Sequence, residues 1–194
     1  MPGKKQTKAI STGGSQELLD LIPRMRLLPG EDDATFEDLR QALLGELAPS
    51  TPYETAIAEN IIALEWETHR HRALRDSLIR SHFREVARET RENRTNGFNL
   101  GLGLVSQEAM DFADALMSPT GADTTEARNW LAQNNITVEE IVALAYQKAG
   151  PALDPHERKL AELETRRRRL RQDYDQLKAT RARPVTDAEI VDPQ

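Results

Sequence analysis

Phe36, Leu39, Leu43 and Leu47 recur in steps of three and four, so the pattern predicts a first helix with one apolar face. It follows the turn Leu28-Pro29-Gly30-Glu31-Asp32-Asp33, where Asp32 or Asp33 can accept from exposed backbone N–H groups, and it ends near Ala48-Pro49. Thr51-Pro52-Tyr53-Glu54 then sets a threonine cap, a proline at the first helical position and a glutamate three residues after the cap. Behind it Ile57, Ile61, Leu64, Thr68, His71, Arg75, Leu78 and His82 alternate steps of four and three, the seam of a helix packed along another helix. The seam starts apolar and turns polar. No Gly or Pro interrupts it before Gly97, which predicts a long helix over about 52–93, roughly 60 Å at the standard rise.

Gly97, Gly101 and Gly103 mark 95–105 as a flexible linker, and three short helices are expected over 106–150. The first begins at Ser106. The second opens on Asp123 with Glu126 and stops near Asn134-Asn135; the third opens on Thr137 with Glu140 and stops at Gly150-Pro151. Met110, Leu116, Trp130, Leu131, Ile136, Ile141 and Leu144 are the expected shared core. Asp154-Pro155-His156-Glu157 repeats the cap, proline and glutamate arrangement ahead of a C-terminal helix over about 155–180, whose seam is Leu160, Leu163, Arg167, Leu170, Tyr174 and Leu177.

These elements imply an all-α fold: the long helix paired antiparallel with the C-terminal helix, plus a small three-helix insertion. The expected organisation is a disordered tail over 1–16, in front of a short apolar stretch Leu18 to Ile22, then N-terminal helices and the long helix over 17–94. The linker 95–105, the insertion 106–150, a coiled-coil-like helix 151–182 and a tail 183–194 complete it. Self-association through the same seams is the competing geometry. Arg75 and Arg167 sit in the seams, so their side chains must reach water or carboxylates.

Composition narrows the function classes. With 38% hydrophobic and 30% charged residues among 194, the chain suits long charged helices better than a dense sphere. It has no cysteine, which excludes disulfides, thiolate metal sites and cysteine nucleophiles and suits a reducing, cytoplasmic setting. No apolar run is long enough to cross a bilayer, and no membrane partner is expected. The net charge of −6 conceals an asymmetry. Residues 101–150 are strongly acidic and should repel nucleic acid, whereas arginines crowd 70–94 and 166–171.

The stretch from Leu28 to Arg72 resembles a widespread group of small uncharacterised bacterial proteins. The likeness rests on the Leu28-Pro29-Gly30-Glu31-Asp32 turn, Phe36, Leu47 with Pro49, Glu59, and Trp66 ahead of Arg70. Ser11-Thr12-Gly13 stands where many members carry a Gly-, Pro- and Lys-rich segment. The resemblance implies this architecture and no particular activity.

Three constellations invite chemistry. Glu65 with His69 and Glu67 with His71 have the four-residue spacing of helical metal ligands, but the two pairs point in different directions and His82 and His156 stand apart. Ordinary ion pairs explain them, and neither metal nor other cofactor is expected. The glycines of 95–105 lack the preceding strand and the Gly-Lys-Ser/Thr of a phosphate loop. No nucleophile, base and orienter can be recognised, so a non-enzymatic protein is expected. Arg80, Arg84, Arg88 and Arg91 fall within about 80° of helical arc and could follow a phosphate backbone. The neighbouring row Glu85, Glu89 and Glu92 offers the plainer reading of a solvated charged face. Ile57, Ile61, Leu64, Trp66, Leu160, Leu163, Leu170 and Leu177 are the expected core or partner seam. The leading expectation is a helical scaffold that binds itself or another protein through its seams; the alternative is a nucleic-acid-associated protein, of a mobile element for instance, using the arginine faces.

Overall fold

The computed structural model describes residues 25–95 and 106–182. The terminal tails, the Leu18 to Ile22 stretch and the three glycines of the linker lie outside the described residues. The described chain is all-α: α1 (Asp33–Leu47), α2 (Pro52–Thr95), α3 (Gln107–Met117), α4 (Ala122–Gln133) and α5 (Val138–Ala182). It divides into two compact units, one of the chain up to Thr68 with Leu163 onward, the other of His69–Glu162.

Local signals place most helix ends where the sequence puts them. Asp32 caps α1 by accepting from the Thr35 N–H at 3.0 Å, and Ser106 caps α3 by accepting from Ala109 at 3.2 Å. Thr137 and Glu140 close a reciprocal box, each side chain accepting from the other's N–H, at 2.8 and 3.2 Å. At the start of α2, Thr51 Oγ1 accepts from the Glu54 N–H at 3.1 Å. The Glu54 carboxylate reaches one residue further back than a simple box requires, taking the Ser50 N–H at 2.6 Å and the Ser50 hydroxyl at 2.7 Å. The start of α4 differs from expectation. Its cap is Gly121, at a φ of +145° and with no side-chain capping bond, so Asp123 lies inside the first turn.

In the first unit α1, α2 and the last part of α5 bury Leu47, Ala58, Ile61 and Tyr174, with Leu44, Ile57 and Leu170 packed around them. Trp66 is buried and meets Phe36 of α1 edge to face, centroids 5.1 Å apart. The α2–α5 pairing is antiparallel here, since Arg181 reaches Glu54 at 3.2 Å while Arg167 reaches Glu65 at 3.1 Å. Arg167, the cation in the seam, therefore finds a carboxylate. The last turn of α1 has no basic residue of its own. Tyr174 and Lys178 of α5 donate to the Leu47 carbonyl at 3.1 and 2.8 Å, satisfying acceptors that a helix end leaves open.

In the second unit Phe83, Val86 and Ala87 of α2 pack with Phe112, Ala113 and Leu116 of α3. Ala127 and Leu131 of α4 and Ile141 and Ala145 of α5 close the same cluster. The antiparallel sense repeats: Arg75 faces Glu157 at 3.6 Å and Glu89 faces Lys148 at 2.9 Å. Two expected core residues are displaced. Met110 and Leu144 are 40% and 49% exposed, because Ala109, Phe112, Ala113 and Leu116 define the inner arc of α3 and Ile141, Ala145 and Ala149 that of α5. The inner face of α2 also keeps the 3.6-residue period of a straight helix. It arrives at Phe83 and Val86 where a strict heptad would continue to His82.

The largest departure concerns the expected third short helix and the C-terminal helix, which are one helix, α5, running through Pro151 and Pro155. Proline removes a helical donor and crowds the carbonyl four residues earlier, which is why the sequence reads as a break at each. Ile141, Ala145, Ala149 and Leu153 are nonetheless buried in steps of four, and Leu160 continues the same face. Packing along that face outweighs the local cost.

Two outcomes follow. Pro155→Ala restores a donor to the Pro151 carbonyl and should raise stability by up to about 3 kcal/mol in denaturant unfolding; a loss of stability would mean that α5 is interrupted there. Glu54 is buried, and the Ser50 N–H, the Ser50 hydroxyl and Arg181 hold its carboxyl down at about 2, below the ordinary 4.5. With the folded value below the unfolded one, its stabilisation is fully present above about pH 4.5 and fades as the pH falls towards about 2. Glu54→Gln should therefore lower the melting temperature at pH 7 and narrow its gap to the unsubstituted protein as the solution is acidified through that window. A gap that stays constant from pH 7 to pH 2.5 would contradict the assignment.

Candidate functional site

The charged second half of α2 carries two adjacent rows, and each is answered from a different side. The basic row turns to α3: Arg84 Nε pairs with Asp114 at 3.0 Å, and Arg91 pairs with Glu108. Arg88 pairs along its own helix with Glu92 at 3.4 Å. The acidic row turns to α5, where Lys148 binds Glu89 at 2.9 Å and Glu85 at 3.3 Å. His82 contacts Glu85 at 2.9 Å, and this bond, with Lys148 behind it, lowers the Glu85 carboxyl from its usual value. The Glu89 bond in turn raises Lys148 above its usual value. Of the four arginines proposed for phosphate contact, only Arg80 is exposed without a carboxylate partner among the described residues.

Arg91 is the most deeply placed of the four, its side chain 18% exposed. Its guanidinium lies 4.4 Å from the Trp130 ring centre and 5.4 Å from that of Phe112, and the two rings meet edge to face. Nε and Nη1 are buried without a hydrogen-bond acceptor among the described residues, so ring faces take the place of polar partners there.

Beside this stack α3 and α4 enclose a cleft of about 630 Å³. Phe112, Ala115, Ala127 and Trp130 form its apolar wall, and five carboxylates line it: Glu108, Asp111, Asp114, Asp123 and Glu126. Glu108 and Asp114 are spent on Arg91 and Arg84. Asp111 bonds only the Gln107 amide, and Asp123 and Glu126 have no basic partner among the described residues. The cleft is thus strongly negative over an aromatic floor. The acidity of 101–150 is legible in the sequence; its convergence around Trp130 depends on the α3–α4 packing.

The histidines are rearranged relative to expectation. His156, read as isolated, meets His71 across α2 and α5 with Nδ1 to Nδ1 at 2.9 Å, a contact between residues 85 apart in sequence. Glu65 is turned to Arg167. Among the described residues no group of three or more His, Asp or Glu side chains gathers as a metal would need. The seam residues Ile61, Leu64, Trp66, Leu160 and Leu163 are buried and Ile57, Leu170 and Leu177 half-buried, so the seams are occupied internally. Arg75, the other seam cation, pairs with Asp76 at 3.0 Å as well as Glu157.

Comparison with known proteins finds no match, whether to a family model, to a curated protein or to a solved structure. None of the helices among the described residues is long and apolar enough to cross a membrane.

Arg91→Gln should cost the fold about 1–2 kcal/mol, through loss of the ring stacking and the Glu108 pair. Arg80→Gln should stay within about 0.5 kcal/mol of the parent. Equal effects of the two in denaturant unfolding would remove the distinction drawn between a packed and an exposed arginine.

Proposed function

We propose that the chain is a non-enzymatic helical scaffold that works by protein–protein interaction in the cytoplasm, and that the acidic cleft of the second unit is its recognition surface. The carrying observation is the set of carboxylates Asp111, Asp123 and Glu126, which no cation among the described residues answers, over the aromatic wall of Trp130 and Phe112. Carboxylates of one sign lining a cleft attract an incoming cation. The complementary partner is a lysine- or arginine-bearing segment of another protein or of a second copy, its alkyl stems lying on the aromatic wall. Because the helical seams are filled by the chain's own residues, they support the scaffold and leave recognition to this cleft. Kinship with the small bacterial proteins that Leu28–Arg72 resembles is part of the proposal and adds architecture alone.

The alternative, a nucleic-acid-associated protein, has less support, since Arg84, Arg88 and Arg91 spend their charge on carboxylates of the fold. Arg80, Arg168 and Arg169 are the exposed cations it would use.

Fluorescence anisotropy of a labelled arginine-rich helical peptide tests the reading. Binding should weaken with salt and fall at least about tenfold in the triple variant Asp111→Asn, Asp123→Asn, Glu126→Gln. An equal charge change in the first unit, Asp33→Asn, Asp38→Asn, Asp173→Asn, should leave it nearly intact. Absence of binding at low salt, or equal loss in both variants, would sink the cleft as the recognition surface. Salt-dependent binding of duplex DNA or RNA in place of the peptide, lost on Arg80→Gln with Arg168→Gln and Arg169→Gln, would move the reading to nucleic acid.

A further inference from the structure

The outer face of α5 changes character along its length. Beyond His156 its exposed positions are mostly charged or polar, whereas between Ile141 and His156 the residues Ala143, Leu144, Tyr146, Pro151, Ala152 and Pro155 stand exposed. Lys148 and Asp154 are the only charged residues of that stretch, and Lys148 is turned to Glu85 and Glu89 of α2. An exposed apolar stretch on a chain with 30% charged residues marks a contact surface. The prolines add open acceptors to it. Pro151 and Pro155 have no N–H to give, so the carbonyls of Gln147 and Pro151 lack their helical donors beside the exposed proline rings. None of these residues belongs to the acidic cleft, which α2, α3 and α4 line with the segment joining α3 to α4.

We propose that this face binds a second copy of the chain, with α5 lying antiparallel on α5 about a two-fold axis level with Ala149. Glu140, Leu144, Gln147, Pro151, Asp154 and Arg158 follow one another in alternating steps of four and three, so they form one strip, about 27 Å long at the standard rise. All six are exposed. In such an isologous contact each residue of the strip meets the one equally far from the centre on the other side. Arg158 therefore meets Glu140 of the second copy, twice over. Within its own chain Arg158 gives only Nε to the Asp154 carbonyl at 3.3 Å, and Glu140 accepts only from the Thr137 N–H at 2.8 Å, so neither has an opposite charge among the described residues. Gln147 meets Pro151 of the second copy, where its side-chain amide has the carbonyl left open by Pro155 as an acceptor. The strip is acidic where it starts and basic where it ends, and an antiparallel copy answers both ends at once. One pair is mismatched: Leu144 meets Asp154. That mismatch, with the small area of a single helix contact, sets the dissociation constant on the order of micromolar or weaker.

Sedimentation velocity of the full chain between about 1 and about 500 µM tests the pairing, and the mass should rise from monomer to dimer over that range. Leu144→Glu should weaken the dimer at least about tenfold. Arg158→Glu should weaken it about threefold, and adding Glu140→Lys to the same chain should recover the loss, because the exchanged charges meet again across the axis. Asp154→Leu should tighten the dimer at least about threefold, with no larger species, since it sets leucine against leucine. The triple variant Asp111→Asn, Asp123→Asn, Glu126→Gln should dimerise as the unsubstituted chain does. A monomer at about 500 µM, a dimer indifferent to both Leu144→Glu and Asp154→Leu, or a dimer lost in the triple variant would overturn the proposal, the last by placing the second copy in the acidic cleft. Should Leu144→Glu lose helical circular dichroism, the gain from Asp154→Leu decides, because a misfolded chain does not form a tighter dimer.

Discussion

The second half of α2 has too few apolar residues to be held by burial alone. Its fully buried residues are Phe83, Val86 and Ala87, and most of the side chains from Arg84 to Arg94 are charged. The second unit depends on how those charges are answered: arginines towards the acidic α3, glutamates towards Lys148 of α5. Each exposed pair contributes little by itself, about 0–1 kcal/mol. Their joint effect is directional. A helix with a basic edge and an acidic edge accepts neighbours of opposite sign on definite sides, so the charges select the arrangement while the small core supplies cohesion. Arg91 belongs to both, because it pairs with Glu108 and also lies against Trp130 and Phe112.

The first unit solves a different problem, the open carbonyls at the end of α1. Ala48 takes a left-handed φ of +45° there, a conformation that costs a residue with a Cβ. Donors from Tyr174 and Lys178 hold that corner, and the same two residues tie α5 to it. Glu54 acts likewise at the start of α2, where one carboxylate serves Ser50 and Arg181 together. Helix ends and helix pairing are thus secured by the same side chains.

Features that depend on a few neighbouring residues were legible in the sequence. Asp32, Thr51, Ser106 and Thr137 all act at helix starts as their side chains dictate, and the two seams pair in the sense their order implies. The apolar seam from Ile61 to Trp66 and from Leu160 to Leu163 is buried as its spacing requires. Legibility ends where distant partners decide. Pro151 and Pro155 carry a strong local stop signal, yet the buried face from Ile141 to Leu160 overrides it, and nothing within a few residues of either proline reveals that face's partner. Met110 and Leu144 are apolar enough for a core but lie off the arcs chosen by Phe112 and Ala145, a choice made between helices. The contact between His71 and His156 needs the register of α2 against α5 within the second unit.

In the sequence the arginine stripe is either a solvated charged face or a surface for phosphate, and the acidic segment is one that repels phosphate. They are largely one device, since Arg84 and Arg91 meet Asp114 and Glu108. That pairing changes what counts as unexplained. Arg84, Arg88 and Arg91 of α2 pair with carboxylates of the fold, whereas Asp111, Asp123 and Glu126 line one cleft without a cationic partner among the described residues. All three are exposed, so their charges face solvent and are open to an incoming cation. The proposed recognition surface is accordingly the acidic cleft and not the arginine rows beside it.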